Sequence, residues 1–174
     1  FLKKEKIMTV RVGKFEKISL EQWHKDFDND SSKIVDKMLN EIIKIPTRAT
    51  KGSAGYDIVT PFDIDLQPGE SRKIPTGLKC QVDNGWFLGI FPKSGLGFKY
   101  SLRLGNSVGI IDEDYHNNEN NEGHIWVKIQ NDGYKEVHID AGKAFCQGIF
   151  LPYGITYDDE TEGIRQGGLG STNS

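Results

Sequence analysis

Cysteine is scarce in this sequence: Cys80 and Cys146 are the only two among 174 residues, and each lies in an apolar stretch. This pattern indicates two buried thiols rather than a disulfide. The first eight residues also lack the apolar core and the small-residue cleavage site of a signal peptide. We therefore expect a reducing compartment, namely the cytoplasm, or the nucleus or an organelle in a eukaryotic cell.

Long hydrophobic runs, an excess of positive charge and metal-binding spacings are also missing. No apolar segment approaches the length that crosses a bilayer, which excludes a membrane protein. A net charge of −3 provides no basic stripe for polymeric nucleic acid, although a few local cations and backbone amides can still hold a small anion. The histidines are scattered and no CxxC or HExxH motif occurs, so we predict no zinc site.

What is present predicts a single domain over residues 1–174, mostly of β-structure. Short runs rich in aromatic and β-branched residues alternate with turn sequences such as Asp83-Asn84-Gly85, which is typical of a β-sandwich or jelly roll. The predicted strands are 9–18, 77–82, 86–91, 124–129 and 144–150. Residues 117–121 form a polar loop tip, and residues 165–174 are too polar to pack alone, which predicts a flexible C-terminal arm.

Residues 19–43 predict a small helical insertion. Ser19 with Gln22 resembles a capping box for a short helix, and Ser31 or Ser32 precedes a second helix. The second helix carries an apolar stripe made of Ile34, Val35, Met38, Leu39 and Ile42. Packing of this helical pair on the main domain is favoured over a partner-binding surface, because amphipathic surface helices are common.

Three segments have residues suited to phosphate chemistry. Residues 92–99 combine glycines, Ser94 and two lysines, which suits contacts to phosphate oxygens, although a plain surface turn is an equal alternative. Residues 109–115 place three acids after an apolar pair, which fits a general base or a solvated acidic turn. Arg165 is followed by a glycine-rich tail without a helix, so it is neither a Rossmann nor a Walker loop.

In this order the segments resemble the five motifs of the trimeric dUTPase family, over about residues 44–174. The matching segments are 45–58, 92–99, 105–115, 141–152 and 165–172. The resemblance implies an all-β, jelly-roll-like sandwich or barrel with the helical insertion added near the N-terminus. It also implies hydrolysis of dUTP to dUMP and pyrophosphate with Mg²⁺, in a homotrimer whose active sites draw motifs from all three subunits.

The same resemblance implies a role for each matching residue. Asp112 would be the catalytic base that activates water, and Asp57 would hold Mg²⁺ through water. Tyr115 would stack under the deoxyribose and exclude a 2′-hydroxyl, so that UTP is rejected. The other implied substrate-binding residues are Lys93, Ser94, Gly95, Asn106, Gly109, Ile111, Gln147, Arg165, Gly170 and Ser171.

Some positions depart from the family pattern. Lys93 stands where most members have arginine, and Ala144 replaces another arginine. Leu169 occupies the position of an aromatic residue that stacks on uracil in the family. The stacking partner is therefore either absent or supplied from elsewhere, by His124 or Trp126, unless both of these simply lie on a core strand.

Two other functions compete with the dUTPase hypothesis. One is dCTP deamination, but Lys128 stands where the deaminase strand carries its catalytic glutamate. The other is a nucleotide-responsive binding module whose helical insertion meets a protein partner.

Overall fold

A computed structural model describes residues 9–163 and Arg165. Eleven strands form within this range, with three short α-helices, a π-helical turn (Met38–Ile42) and a 3₁₀ turn (Glu113–Tyr115). The helices are α1 (Leu20–Asp26), α2 (Lys33–Lys37) and α3 (Ser94–Tyr100). The strands are β1 (Gly13–Lys17), β2 (Tyr56–Val59), β3 (Ile64–Leu66), β4 (Ser71–Pro75), β5 (Leu78–Val82), β6 (Trp86–Pro92), β7 (Leu102–Leu104), β8 (Gly109–Ile111), β9 (Trp126–Asn131), β10 (Val137–Ile139) and β11 (Ala144–Pro152).

The strands pair antiparallel throughout and form two main sheets. One sheet has the order β2-β11-β6-β8 and the other β4-β9-β7, with β1-β5 and β3-β10 as additional pairs. Alternating side chains from these strands form one buried core of isoleucine, leucine and valine, to which Phe145 and Cys146 belong. This arrangement confirms the all-β, jelly-roll-like fold predicted from the sequence.

Strand boundaries differ from the prediction mainly near the N-terminus. The first strand begins at Gly13 rather than at residue 9, and the strand predicted for 124–129 begins at Trp126. His124 precedes β9 because its backbone N–H bonds to the carbonyl of Asn121 in a turn. Both cysteines are free and buried, as predicted, and burial raises the pKa of the Cys80 thiol to about 12.

The helical insertion packs on the β-domain, as the sequence favoured. Ser19 and Ser32 are the two N-caps, each accepting a bond from an amide three residues later. The apolar stripe was partly wrong, because Ile34 is 70% exposed and the last buried position is Ile43. A π-helical turn, Met38–Ile42, follows α2, and its i to i+5 bond from Ile43 N to Met38 O shifts the buried face by one residue.

The polar segment 117–121 is more ordered than a loop tip. Asn118 is buried and bonds to the carbonyl of Tyr115 and to the side chain of Asn121. Within residues 9–163, no helix has both the length and the apolar character needed to cross a bilayer. That the whole chain is a single domain stays a prediction.

Candidate active site

The four-stranded sheet brings four of the five motif segments together. Its central strand β11 carries Gln147, which lies opposite Asp57 on β2 and opposite Phe91 on β6. β6 leads directly into Lys93, and β8 leads directly into Asp112. The antiparallel register of this sheet therefore fixes the spacing of the predicted site residues.

One group of predicted residues, the Lys93 cluster, consists of Asp57, Lys93, Ser94, Gly95 and Gln147. Lys93 Nζ donates to Asp57 Oδ1 at 2.6 Å, and both side chains are about one-third exposed. Gln147 Nε2 donates to the carbonyl of Pro92 at 3.0 Å, which holds the amide side chain beside the same loop. Ser94 and Gly95 begin α3, where backbone N–H groups have no acceptor within the helix.

A second group, the Asp112 cluster, consists of Asp112, Asp114, Tyr115 and Arg165. Arg165 Nη2 donates to Asp112 Oδ2 at 2.5 Å, and Arg165 Nε donates to Asp114 Oδ1 at 2.7 Å. The guanidinium also lies 5.8 Å from the centre of the Tyr115 ring. Asp114 was not among the predicted site residues, although its position two residues after Asp112 could have indicated that it belongs to the site.

The Asp112 carboxyl group has a raised pKa. Burial is the largest cause, and the negative charge of Asp114 adds to it. The positive charge of Arg165 and its hydrogen bond act in the opposite direction without cancelling the rise. A carboxylate with a raised pKa holds a proton more strongly, which suits a general base.

A cavity of about 390 Å³ lies between strand β9 and the segment that runs from the end of β7 into β8. Asn106, Gly109 and Ile111, three predicted substrate-binding residues, line it. Trp126 and Lys73 also line it, and Lys73 Nζ lies 5.4 Å from the centre of the Trp126 ring. The size and the mixed apolar and polar lining are typical of a small-molecule site.

Two further features concern the side chains that line the cavity. Lys128 lines the cavity and lies directly opposite Lys73 on β4, and sequence reasoning missed Lys73 because it cannot see that pairing. His124 is fully buried and bonded at both ring nitrogens, so only Trp126 of the two stacking candidates faces the cavity. Leu169, Gly170 and Ser171 lie outside the described residues.

The two clusters lie at opposite ends of strand β6. Ile111 pairs with Leu88, so Asp112 follows at the level of Phe87. Lys93 follows β6 at its other end, six residues farther along the chain. At roughly 3.3 Å per residue this separation is about 20 Å, which is too far for both clusters of one chain to act on one α-phosphorus.

Among residues 9–163 and Arg165, no group of three or more His, Cys, Asp or Glu side chains is arranged to hold a metal ion. Asp57 is a single, partly exposed carboxylate beside a phosphate-suited loop. Mg²⁺ is commonly bound through one or two carboxylates, waters and the phosphates of the substrate. The residues present therefore fit an ion that arrives with a polyphosphate.

Comparisons with known proteins agree with this geometry. The family model for dUTPase matches residues 41–173. A deoxyuridine 5′-triphosphate nucleotidohydrolase of Lactococcus lactis subsp. lactis is 42% identical over 143 residues, covering 81% of this chain and 95% of that protein. The crystal structure of dUTPase from Streptococcus mutans is 33% identical with a TM-score of 0.63, covering 82% of this chain and 98% of that one.

A mutant dUTPase from phage phi11 of S. aureus, reported with the coordination of a structural Mg(II) ion, shares the fold. It is 22% identical with a TM-score of 0.59, covering 73% of this chain and 95% of that one. The family match spans most of the sequence and includes both clusters and the cavity. This chain therefore belongs to the dUTPase family.

Proposed function

We propose that this chain hydrolyses dUTP to dUMP and pyrophosphate with Asp112 as the general base. The observation that carries the proposal is a half-exposed carboxylate of raised pKa that directly follows Ile111, a residue of the cavity wall. Asp112 accepts a proton from water, and the resulting oxygen attacks the α-phosphorus in line. The bond from the α-phosphorus to the bridging oxygen breaks, and pyrophosphate leaves with that electron pair.

The cavity selects the base, and Tyr115 selects the sugar. Trp126 offers an aromatic face for the pyrimidine, and Ile111 offers an apolar wall. Lys73 and Lys128 donate hydrogen bonds but accept none, which favours the carbonyl oxygens of uracil over the exocyclic amine of cytosine. Tyr115 stacks under the deoxyribose and leaves no room for a 2′-hydroxyl.

The Lys93 cluster binds the triphosphate. Lys93 supplies a positive charge, and the first amides of α3 at Ser94 and Gly95 donate to phosphate oxygens. Gln147 donates near the α-phosphate, beside Asp57 on the next strand. Asp57 would hold Mg²⁺ through water, and the ion would neutralise phosphate charge as the bond breaks. The phage phi11 protein, which shares the fold, was reported with a structural Mg(II) ion.

The distance between the two clusters supports a site shared between copies of the chain. The Asp112 cluster and the Lys93 cluster lie about 20 Å apart along β6, which favours the supply of one of them to each site by a second subunit. We propose that the enzyme is a homotrimer, in which a third subunit contributes Arg165 to the substrate-bound site, in place of the contact that Arg165 makes with Asp112 of its own chain. Light scattering at micromolar concentration should give three times the mass of the chain, and a monomer would contradict the proposal.

The deaminase hypothesis and the binding-module hypothesis have no comparable support. Lys128 occupies the strand position where a deaminase needs a carboxylate to shuttle protons. The helical insertion buries its apolar side chains Trp23, Val35 and Leu39 against its own chain. We place the enzyme in the reducing cytoplasm, where its two buried cysteines remain thiols.

Isotope labelling tests the proposed reaction. Hydrolysis of dUTP in ¹⁸O-labelled water should place the label in dUMP, because the attacking oxygen bonds to the α-phosphorus. Mass spectrometry of both products measures it. Label found in pyrophosphate instead would mean attack on the β-phosphorus, and the assignment of Asp112 to the α-phosphorus would be wrong.

Asp57→Asn should raise the Mg²⁺ concentration needed for half-maximal activity by about 10- to 100-fold, because an amide attracts a hydrated cation much less than a carboxylate does. Magnesium titrations of dUTP hydrolysis measure this. Asp65→Asn is the control: Asp65 is an exposed carboxylate on β3, paired with His138 and outside both clusters. An unchanged magnesium requirement in Asp57→Asn would remove this residue from the metal site.

The pH dependence should show the raised pKa of Asp112. The carboxylate is active when ionised, so kcat/KM should fall as pH drops through a pKa above the ordinary aspartate value. Removing the positive charge in Arg165→Ala should raise that pKa further and move the acid limb to higher pH. A shift of the limb to lower pH would mean that a different group limits the rate.

A further inference from the structure

We propose that Asp26 and His124 form a positioning pair through which the helical insertion fixes Tyr115 and so sets the preference for deoxyribose over ribose. The proposal rests on the function proposed above, in which Tyr115 carries the sugar. It assigns a role to residues 19–43, which the dUTPase motifs leave without one.

The imidazole of His124 is fixed in one tautomer. His124 has no exposed surface, and its Nε2 accepts the backbone N–H of Gly77 at 2.9 Å. Because Gly77 N–H is only a donor, Nε2 carries no proton and Nδ1 must carry it. That proton points toward Asp26 Oδ2, which lies 2.5 Å from Nδ1. Asp26 is the last residue of α1. The insertion therefore supplies the acceptor that determines the ring orientation of His124.

The backbone of His124 in turn holds the phenol of Tyr115. Tyr115 Oη donates to the carbonyl of His124 at 2.9 Å and accepts from Asn121 Nδ2 at 2.9 Å. Donor and acceptor capacity of the hydroxyl are thus both used, and the residue is only 6% exposed. The position of the ring is set by the same short segment that Asp26 anchors.

The His124 ring also contacts the cavity wall. Its centroid lies 5.3 Å from that of Trp126, which lines the cavity, and 5.8 Å from that of Trp23 in α1. Gly77 has a φ of +70°, and a Cβ there would meet Leu39 Cδ1 at 2.9 Å. The contact between insertion and sheet is therefore tight at this point, and a displaced imidazole would disturb both Tyr115 and Trp126.

The charges of the pair are consistent with a fixed geometry. Burial lowers the pKa of His124 more than Asp26 raises it, so the imidazole stays neutral at neutral pH. For Asp26, burial alone would raise the pKa, but hydrogen bonds from His124 and Gln22 together lower it. A neutral ring donating to a charged carboxylate makes a strong, directional bond.

Further bonds join the insertion to the loop between Tyr115 and His124. The Glu122 carboxylate accepts from the backbone and the hydroxyl of Ser19, the N-cap of α1. Lys25 Nζ donates to the carbonyl of Asn120. The second half of the capping box predicted for Ser19 is therefore supplied by Glu122, 103 residues away, rather than by Gln22. The loop that holds Tyr115 is bound to the insertion at several points.

The test compares two substitutions of Asp26 in the full chain, with kcat and KM measured for dUTP and UTP. Asp26→Leu leaves the buried Nδ1–H without an acceptor and should lower the dUTP to UTP preference about tenfold, mainly through a lower KM for UTP, because a loosened Tyr115 leaves room for the 2′-hydroxyl. Asp26→Asn keeps a side-chain oxygen for the same proton and should stay within about twofold of wild type. An unchanged preference in Asp26→Leu, with only a lower Tm, would overturn the proposal.

The control is His24→Ala. His24 pairs with Asp36 at the same 2.5 Å separation, but this pair lies inside the insertion. Its loss should lower Tm without changing the substrate preference, and a change equal to that of Asp26→Leu would overturn the proposal.

If Asp26→Leu does not fold, a double-mutant cycle replaces it. The cycle compares Asp26→Ala, Tyr115→Phe and the variant that carries both substitutions. Effects on substrate preference that are less than additive support the coupling, and additive effects refute it. Wild-type enzyme without any preference for dUTP over UTP would instead contradict the proposed function itself.

Discussion

Asp112→Asn should lower kcat for dUTP by at least about 10²-fold while dUTP still binds. The amide can hold a water molecule by a hydrogen bond, but it cannot take the proton of that water. Release of pyrophosphate measures kcat, and titration with a non-hydrolysable dUTP analogue measures Kd.

Glu113→Gln is the matched control for this substitution. Glu113 is the next acid in the same turn, and its Oε1 accepts from Asn84 Nδ2 rather than contacting Arg165. Turnover of the control should stay close to wild type. Loss of a general base lowers the rate by at least about 10²-fold. If Asp112→Asn kept more than about a tenth of wild-type turnover, another residue would therefore have to be the base.

Removal of residues 165–174 should lower kcat about 10²-fold and change KM less. The deletion removes Arg165, whose positive charge would stabilise the negative charge that develops on the leaving pyrophosphate. Such a contact is stronger in the transition state than in the bound substrate, so its loss lowers kcat. Steady-state kinetics of the truncated chain measure both constants. A full rate of hydrolysis would mean that the arm is only a linker.

Mixing the two inactive proteins tests whether sites are shared between subunits. If the protein is the proposed trimer, mixing the Asp112→Asn chain with the truncated chain gives some sites that combine an intact Asp112 with an intact Arg165. Partial recovery of activity after mixing is therefore expected. In a protein whose Arg165 serves only the Asp112 of its own chain, as the ion pair between them would allow, mixing would restore nothing.

Local sequence patterns predicted much of the fold, because many of its elements are determined by short stretches of sequence. Helix caps at Ser19 and Ser32 and the long strands β6 and β11 follow from short stretches of sequence. The shift of the buried face to Ile43 escaped prediction, because the π-helical turn depends on how the insertion packs against the sheet.

The site residues were predicted from motifs, but their arrangement depends on strand register. Nothing in the sequence indicates that Asp112 lies level with Phe87, or that Lys73 lies opposite Lys128. His124 and Trp126 were equal alternatives from sequence, and burial alone separates them. The Asp26–His124 pair joins residues 98 positions apart, so no local pattern could predict it.

A product assay with dUTP, dCTP, dTTP and UTP, in the presence of Mg²⁺, tests the central claim most directly. The cavity, Tyr115 and Asp112 together predict that dUTP alone is converted efficiently, and that its products are dUMP and pyrophosphate. Release of ammonia from dCTP, or hydrolysis of UTP as fast as that of dUTP, would contradict this account of the site.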